Sequence, residues 1–267
     1  MTDGPARAKK RLGQHFLHDR RVLERIAEAV APRPGETVLE VGPGEGALTD
    51  LLAARASRLV AIELDRDLVP RLRARYAGRS HVEILEGDVL DVDLAAVAGG
   101  PYVLAGNVPY YITTPIIFHA LRAPRPRRAV YLVQREVADR VVAPAGHPDY
   151  GALSVNVQAL AVPERLFTVG PGAFRPAPSV ESAVLALEPR ADPLVGPGEE
   201  HAFQRFVVAM FGQRRKQLVR AVREVTGCSA EAAQAALARA GLVPTARGET
   251  VPPAGFVSLF RAAGGPA

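Results

Sequence analysis

Apolar residues at Val22, Leu23, Ile26, Ala27 and Val30 recur every three or four positions and stop before Pro32 and Pro34. That stripe predicts an amphipathic helix over residues 22–31, ended by a residue type that cannot continue it. From there the period changes. Thr37–Val41 is a short apolar run that ends in glycines, and a helical pattern follows over residues 47–56. The alternation then repeats, with predicted strands at 59–64, 82–85, 102–105 and 129–133 and predicted helices at 68–76 and 115–121. Short apolar strands divided by helices predict an α/β fold, a doubly wound and mainly parallel sheet.

Residues 166–169 and 180–187 read as two more strands around a Pro- and Gly-rich turn, an antiparallel hairpin at one sheet edge. The segment 189–199 carries three prolines and two glycines and is the predicted linker. Beyond it come helical patterns at 200–211, 214–225 and 229–240, then a Pro-broken tail. The expected division is therefore a domain over 1–190 and a helical one over 191–267. No internal repeat is visible.

Composition narrows the class. With 267 residues, 48% hydrophobic and 23% charged, the chain can bury a large core without staples. Its one cysteine, Cys228, allows no intramolecular disulfide and no CxxC pair, which fits a reducing compartment. No apolar run approaches the ~18 residues of a membrane span, and the basic start lacks the apolar stretch of a signal peptide. A cytoplasmic protein with no membrane partner is expected. The net charge is only +5, but Arg and Lys cluster at 7–11, at 125–128 and at 214–223. Local cation density governs phosphate binding, so the three clusters together point to nucleic acid.

The first predicted strand runs into Glu40-Val41-Gly42-Pro43-Gly44-Glu45-Gly46-Ala47. Glycines at the carboxyl end of a strand let a ligand approach the backbone where open α/β sheets bind their ligands. The second strand ends at Ile62-Glu63-Leu64-Asp65, about twenty residues on, where an acidic side chain can accept hydrogen bonds from a ribose diol. Gly42-x-Gly44-x-x-Ala47 alone also satisfies the dinucleotide fingerprint. Asp88, after the third strand, adds an acceptor for the exocyclic amine of a bound adenine, although a Gly-Asp pair also suits a turn. A glycine loop with acids after both following strands fits a mononucleoside-sized cofactor and favours S-adenosylmethionine. No metal site is expected.

Asn107-Val108-Pro109-Tyr110 stands at the end of the fourth strand. An adenine amine is a poor nucleophile because its lone pair is delocalised into the ring. The Asn107 side-chain oxygen and the Val108 carbonyl are two acceptors for its two hydrogens, and such bonds would aim the lone pair at a methyl group. Pro109 restricts Val108 to extended backbone. Tyr110 offers a face for an extruded base near the sulfonium charge. In isolation the string also fits an Asn-x-Pro turn with an aromatic plug. Phe174, in Phe174-Arg175-Pro176-Ala177-Pro178, is a candidate second stacking surface.

With these residues assembled, the chain resembles the KsgA/RsmA family of small-subunit rRNA adenine dimethyltransferases from Lys10 to about Arg261. The resemblance also draws on Gly13-Gln14-His15-Phe16-Leu17, Leu132-Val133-Gln134-Arg135-Glu136-Val137-Ala138 and Tyr150-Gly151-Ala152-Leu153-Ser154. Ser179-Val180-Glu181-Ser182-Ala183 and Phe211-Gly212-Gln213-Arg214-Arg215-Lys216-Gln217-Leu218 complete it. It implies a Rossmann-like methyltransferase domain with a small helical C-terminal domain, and residues 1–31 as a segment that covers the cofactor and contacts RNA. It further implies dimethylation of two adjacent adenosines in the 3′-terminal hairpin loop of 16S rRNA, within the assembling small subunit, by a monomer. Carried over, His15 and Leu17 close over S-adenosylmethionine, Gly42 contacts its amino-acid end, Glu63 its ribose and Asp88 its adenine. Asn107 touches both cofactor and target. The sequence departs from the commonest pattern at Val108, usually Leu, and at Tyr111, often Asn.

Three other readings stand beside this one. The related family that methylates 23S rRNA and confers macrolide resistance shares the glycine loop and the Asn-x-Pro-Tyr motif. A non-catalytic RNA-binding assembly factor of the same fold would not need Gly42, Glu63, Asp88 and Asn107 intact. A nicotinamide dehydrogenase would need a catalytic His or Tyr-Lys arrangement that is not recognisable here.

Overall fold

The computed structural model describes Lys9 and residues 13–264, so the basic residues Arg7, Lys10 and Arg11 lie outside the described residues. The chain opens with β1 (Phe16–Leu17) and α1 (Arg20–Val30). Asp19 caps α1 by accepting the Val22 N–H, which sets the start two residues before the apolar stripe begins. Alternation follows as expected: β2 (Thr37–Val41), α2 (Ala47–Ala53), β3 (Arg58–Glu63), α3 (Val69–Tyr76) and β4 (Val82–Glu86). Then come α4 (Leu94–Ala98), β5 (Tyr102–Asn107), α5 (Thr113–Ala120), β6 (Arg128–Gln134), α6 (Arg135–Val142) and α7 (Ala152–Leu160). The α/β part ends with β7 (Ala161–Val169), β8 (Phe174–Arg175) and β9 (Ser182–Pro189).

Seven strands form one sheet in the order β4-β3-β2-β5-β6-β9-β7. Strands β4, β3, β2, β5 and β6 run parallel, and β9 runs antiparallel to β6. The order leaves β2 for β3 on one side and for β5 on the other, so a crevice opens at the carboxyl ends of these strands. Gly106 lets β5 lie close there. It is paired with Val41, and a Cβ on it would sit 2.5 Å from the Val41 carbonyl oxygen. On the apolar side α1 buries Leu23, Ile26, Ala27 and Val30 against Val103, Ala105, Val130 and Leu132. Each such side chain contributes about 1.5–3 kcal/mol by leaving water.

The basic cluster at 125–128 has a structural use that the sequence did not show. Arg127 donates to both oxygens of buried Glu36, at 2.6 and 2.9 Å, and to the Ala31 carbonyl, and the guanidinium holds that carboxyl below its ordinary pKa. Arg128 pairs with Glu188.

The edge differs from the simple hairpin expected. Strand β9 enters between β6 and β7, β7 starts at Ala161, and the Pro- and Gly-rich connection sends β8 out to pair antiparallel with β1. The chain also divides into two compact units at other points than residue 190 alone. One comprises residues through Ala138 with Glu164–Pro189, the other Asp139–Pro163 with the chain from Arg190 onward. Helix α7 is the reason. Seven of its residues are buried, so it shows no polar stripe to betray a helix, and it packs on the C-terminal helices.

In the second unit α7 meets α8 (Glu200–Gly212) and α11 (Pro253–Ala262), with α9 (Leu218–Thr226) and α10 (Ala230–Arg239) completing the layer. Phe260 packs on Phe203 and Phe206, and Phe256 stacks on Phe211. The tail expected to be broken by proline is a helix, because Pro253 stands at its first position, where no N–H is needed. Among the described residues no helix is long and apolar enough to cross a membrane.

Candidate active site

Four parallel strands deliver one residue each to the crevice: Gly42 follows β2, Glu63 ends β3, Asp88 follows β4 and Asn107 ends β5. They line a cavity of about 280 Å³ together with His15 and Leu17 from the N-terminal segment and with Val108, Pro109 and Tyr110. Nine of the ten residues singled out from the sequence for binding or catalysis thus share one cavity. Phe174 is the exception. Paired with Leu17 on the β1–β8 ribbon, it turns its ring into the apolar core and does not line the cavity, while the adjacent Arg175 faces out. The alternation of a strand puts the two side chains on opposite faces, so Phe174 is no stacking surface in this arrangement.

The glycine loop is shaped by backbone. Gly42, Gly44 and Gly46 all have positive φ (68°, 59° and 85°), and a Cβ on Gly46 would meet the Tyr76 hydroxyl at 2.7 Å. Glu63 ties the loop to β3, since its carboxylate accepts the Gly44 N–H at 3.1 Å and the Asp65 N–H at 2.8 Å. One Asp88 oxygen caps the following turn through the Leu90 N–H, so the turn role and a place on the cavity wall coexist.

Over this floor lies the segment from Gly13 to His18. Lys9 pairs with Asp65 and Asp67, Gln14 donates to Asp65 at 3.0 Å, and the His15 ring bonds through Nδ1 to the Pro176 carbonyl at 2.7 Å. A carbonyl only accepts, so His15 carries its proton on Nδ1 there. The same logic fixes Asn107. Its side-chain nitrogen donates to the His15 carbonyl at 2.8 Å, which leaves Oδ1 as an acceptor toward the cavity. Next to it the Val108 N–H donates to the Leu132 carbonyl, while the Val108 carbonyl accepts no backbone hydrogen bond among the described residues. Tyr110 stacks on the His15 ring, with centroids 5.7 Å apart and planes 24° apart. Tyr111, 56% exposed, covers Gly13.

Sequence reasoning missed Glu40, whose signal was an acid inside a strand with no polar face. It is 1% exposed, lines the cavity and has an Oε2 with no hydrogen-bond partner. Burial, with the nearby Glu63 and Asp50 charges adding, pushes its pKa up to about 8 from an ordinary 4.5. The unfolded chain therefore loses this proton first, and its contribution to stability is complete below 4.5 and gone above about 8. Thermal melts should show the wild-type protein losing stability between about pH 5 and about pH 8 relative to Glu40→Gln. Parallel curves would show that Glu40 is ionised in the fold. Among the described residues no cluster of His, Cys, Asp and Glu is arranged for a metal ion.

The family model for ribosomal RNA adenine dimethylases matches residues 6–263. The chain belongs to the ribosomal RNA adenine dimethylase family. It is 45% identical over 262 residues to a ribosomal RNA small subunit methyltransferase A of Geobacter metallireducens, a match covering 96% of this chain and 95% of that protein. To the protein of that name from Aromatoleum aromaticum it is 42% identical over 254 residues, 95% and 93% of the two chains. The crystal structure of the 23S rRNA methyltransferase ErmE superposes with a TM-score of 0.72 at 31% identity, covering 93% of this chain and 99% of that one. A dimethyladenosine transferase from Plasmodium falciparum shares the fold, with a TM-score of 0.76 at 23% identity and coverage of 94% and 98%.

As a member of this family the chain is an rRNA adenine dimethyltransferase with the Rossmann-like fold, and its cofactor is S-adenosylmethionine. The cavity suits that molecule. The glycine loop leaves backbone open to a ligand, and the carboxyl groups of Glu63, Asp88 and Glu40 line the same space.

Proposed function

We propose that this dimethyltransferase acts on the exocyclic amines of two adjacent adenosines in the 3′-terminal hairpin loop of 16S rRNA, within the assembling small ribosomal subunit, as a cytoplasmic monomer. The observation that carries the chemistry is the Asn107 side chain, turned so that its oxygen is the group offered to the target. S-adenosylmethionine would supply the methyl group from a cationic sulfur that departs as a neutral thioether. Glu63 holds the ribose, Asp88 the adenine and Gly42 the amino-acid end, with His15 and Leu17 above. Asn107 Oδ1 and the Val108 carbonyl accept the two N–H groups of the target amine and direct its lone pair. Tyr110 stacks the extruded base. The nitrogen turns acidic as it is alkylated, so its proton leaves without a strong base.

Support for the small-subunit target is the identity of 42–45% to the small-subunit enzymes of Aromatoleum and Geobacter, against 31% to the 23S enzyme. The exposed Arg215, Arg220 and Arg223 of the second unit are the cations we assign to rRNA phosphate. The test is methyl transfer from labelled S-adenosylmethionine to immature 30S or 50S particles. Label in the 30S particles alone is expected, and label in the 50S particles alone would overturn the assignment.

A further inference from the structure

The segment Ser179-Val180-Glu181-Ser182-Ala183 has no role in the chemistry above, yet one of its residues reaches the site. The Ser182 hydroxyl lies 2.7 Å from the Tyr110 hydroxyl, and Ser182 has no exposed surface. Its position is set by the sheet. Ser182 begins β9 opposite Gln134, the Glu181 carbonyl accepts the Arg135 N–H at 3.0 Å, and the Glu181 carboxylate pairs with the Arg135 guanidinium. Tyr110, by contrast, sits on a single 3₁₀ turn beyond the end of β5. A tyrosine on a turn has two side-chain torsions to settle. Tying its oxygen to a sheet residue settles the first, because that oxygen lies on the axis about which the second turns, and the His15 ring packed on its face settles the second.

We infer that Ser182 is a positioning residue, whose hydroxyl fixes the direction of the Tyr110 ring axis and so keeps the ring where the target base stacks. The role rests on the function proposed above. The ring is held from two sides, by Ser182 at the hydroxyl and by the His15 ring on its face. Burial keeps the Tyr110 phenol above its ordinary pKa, so the pair remains two neutral hydroxyls at neutral pH. An oriented surface lowers the barrier only if the base reacts while stacked on it, so loss of the tie should appear in kcat rather than in cofactor affinity.

The experiment is a double-variant cycle on small-subunit particles at saturating S-adenosylmethionine. Ser182→Ala and Tyr110→Phe each remove one partner and keep the shape of the site. Each should lower kcat about tenfold, near the upper net worth of one hydrogen bond, with cofactor Kd changed by less than about twofold. The combined variant should remain near tenfold, since both changes delete the same bond. Losses that multiply to about a hundredfold would show independent roles and overturn the inference. Full turnover by Tyr110→Phe would overturn it too, even if Ser182→Ala fails to fold. Wild-type enzyme on the same particles separates the two claims: if it transfers no methyl, the substrate assignment fails and this role falls with it.

Discussion

Asn107→Ala should reduce turnover by about 10²-fold or more while leaving S-adenosylmethionine affinity largely intact, read as single-turnover rate against cofactor Kd. Two features argue for that asymmetry. The cofactor cavity is lined by many other residues, and Glu63 and the glycine loop are tied together without Asn107. In the proposed mechanism the target amine has two acceptors, Asn107 Oδ1 and the Val108 carbonyl, and the variant deletes one of them. A directed hydrogen bond that strengthens as charge develops is worth about 2.7–4 kcal/mol in comparable sites. The alanine variant also frees the His15 carbonyl, which now accepts the Asn107 amide. Turnover at the wild-type rate would remove Asn107 from the chemistry.

Gly106→Ala should be among the most damaging single-methyl changes in the α/β unit. The added carbon would lie 2.5 Å from the Val41 carbonyl oxygen and 3.1 Å from the Val41 Cβ, both in the neighbouring central strand. Neither can move aside like the end of a flexible side chain. Relieving the clash must part β2 from β5, at a cost of about 2–3 kcal/mol by analogy with overpacked cores. Because Asn107 is the next residue, the same shift moves it relative to the glycine loop. Thermal unfolding should therefore show a melting temperature several degrees lower, on the order of 2–4 °C per kcal/mol for a domain of this size. Turnover should fall with it. An unchanged melt would mean that the two strands are not this close.

Much of the α/β unit was legible because its strands are short apolar runs between amphipathic helices. The glycine loop and its acids were legible because each follows a strand and so reaches the same sheet edge. Other features were not, for physical reasons. The partnership of Asn107 with the His15 carbonyl joins residues far apart in sequence through a backbone atom that carries no side-chain signal. Gly106 looks like any glycine until the register sets it against Val41. Phe174 was a candidate stacking surface from its place in a Pro-rich segment, and only its burial in the apolar core shows the ring turned inward. Arg127 looked like part of a basic surface, but its partner Glu36 is 91 positions away in the chain. Helix α7 hid because burial on all sides removes the periodic polar face by which a helix is read.

The most direct test of the account is to map the product. Small-subunit particles methylated by the purified enzyme would be digested, and the modified nucleotides located in the 16S rRNA by mass spectrometry. The account predicts two adjacent N6-dimethyladenosines in the 3′-terminal hairpin loop and no other methylated adenosine above background. Methylation confined to any other rRNA site, or to an atom other than the exocyclic amine, would contradict it.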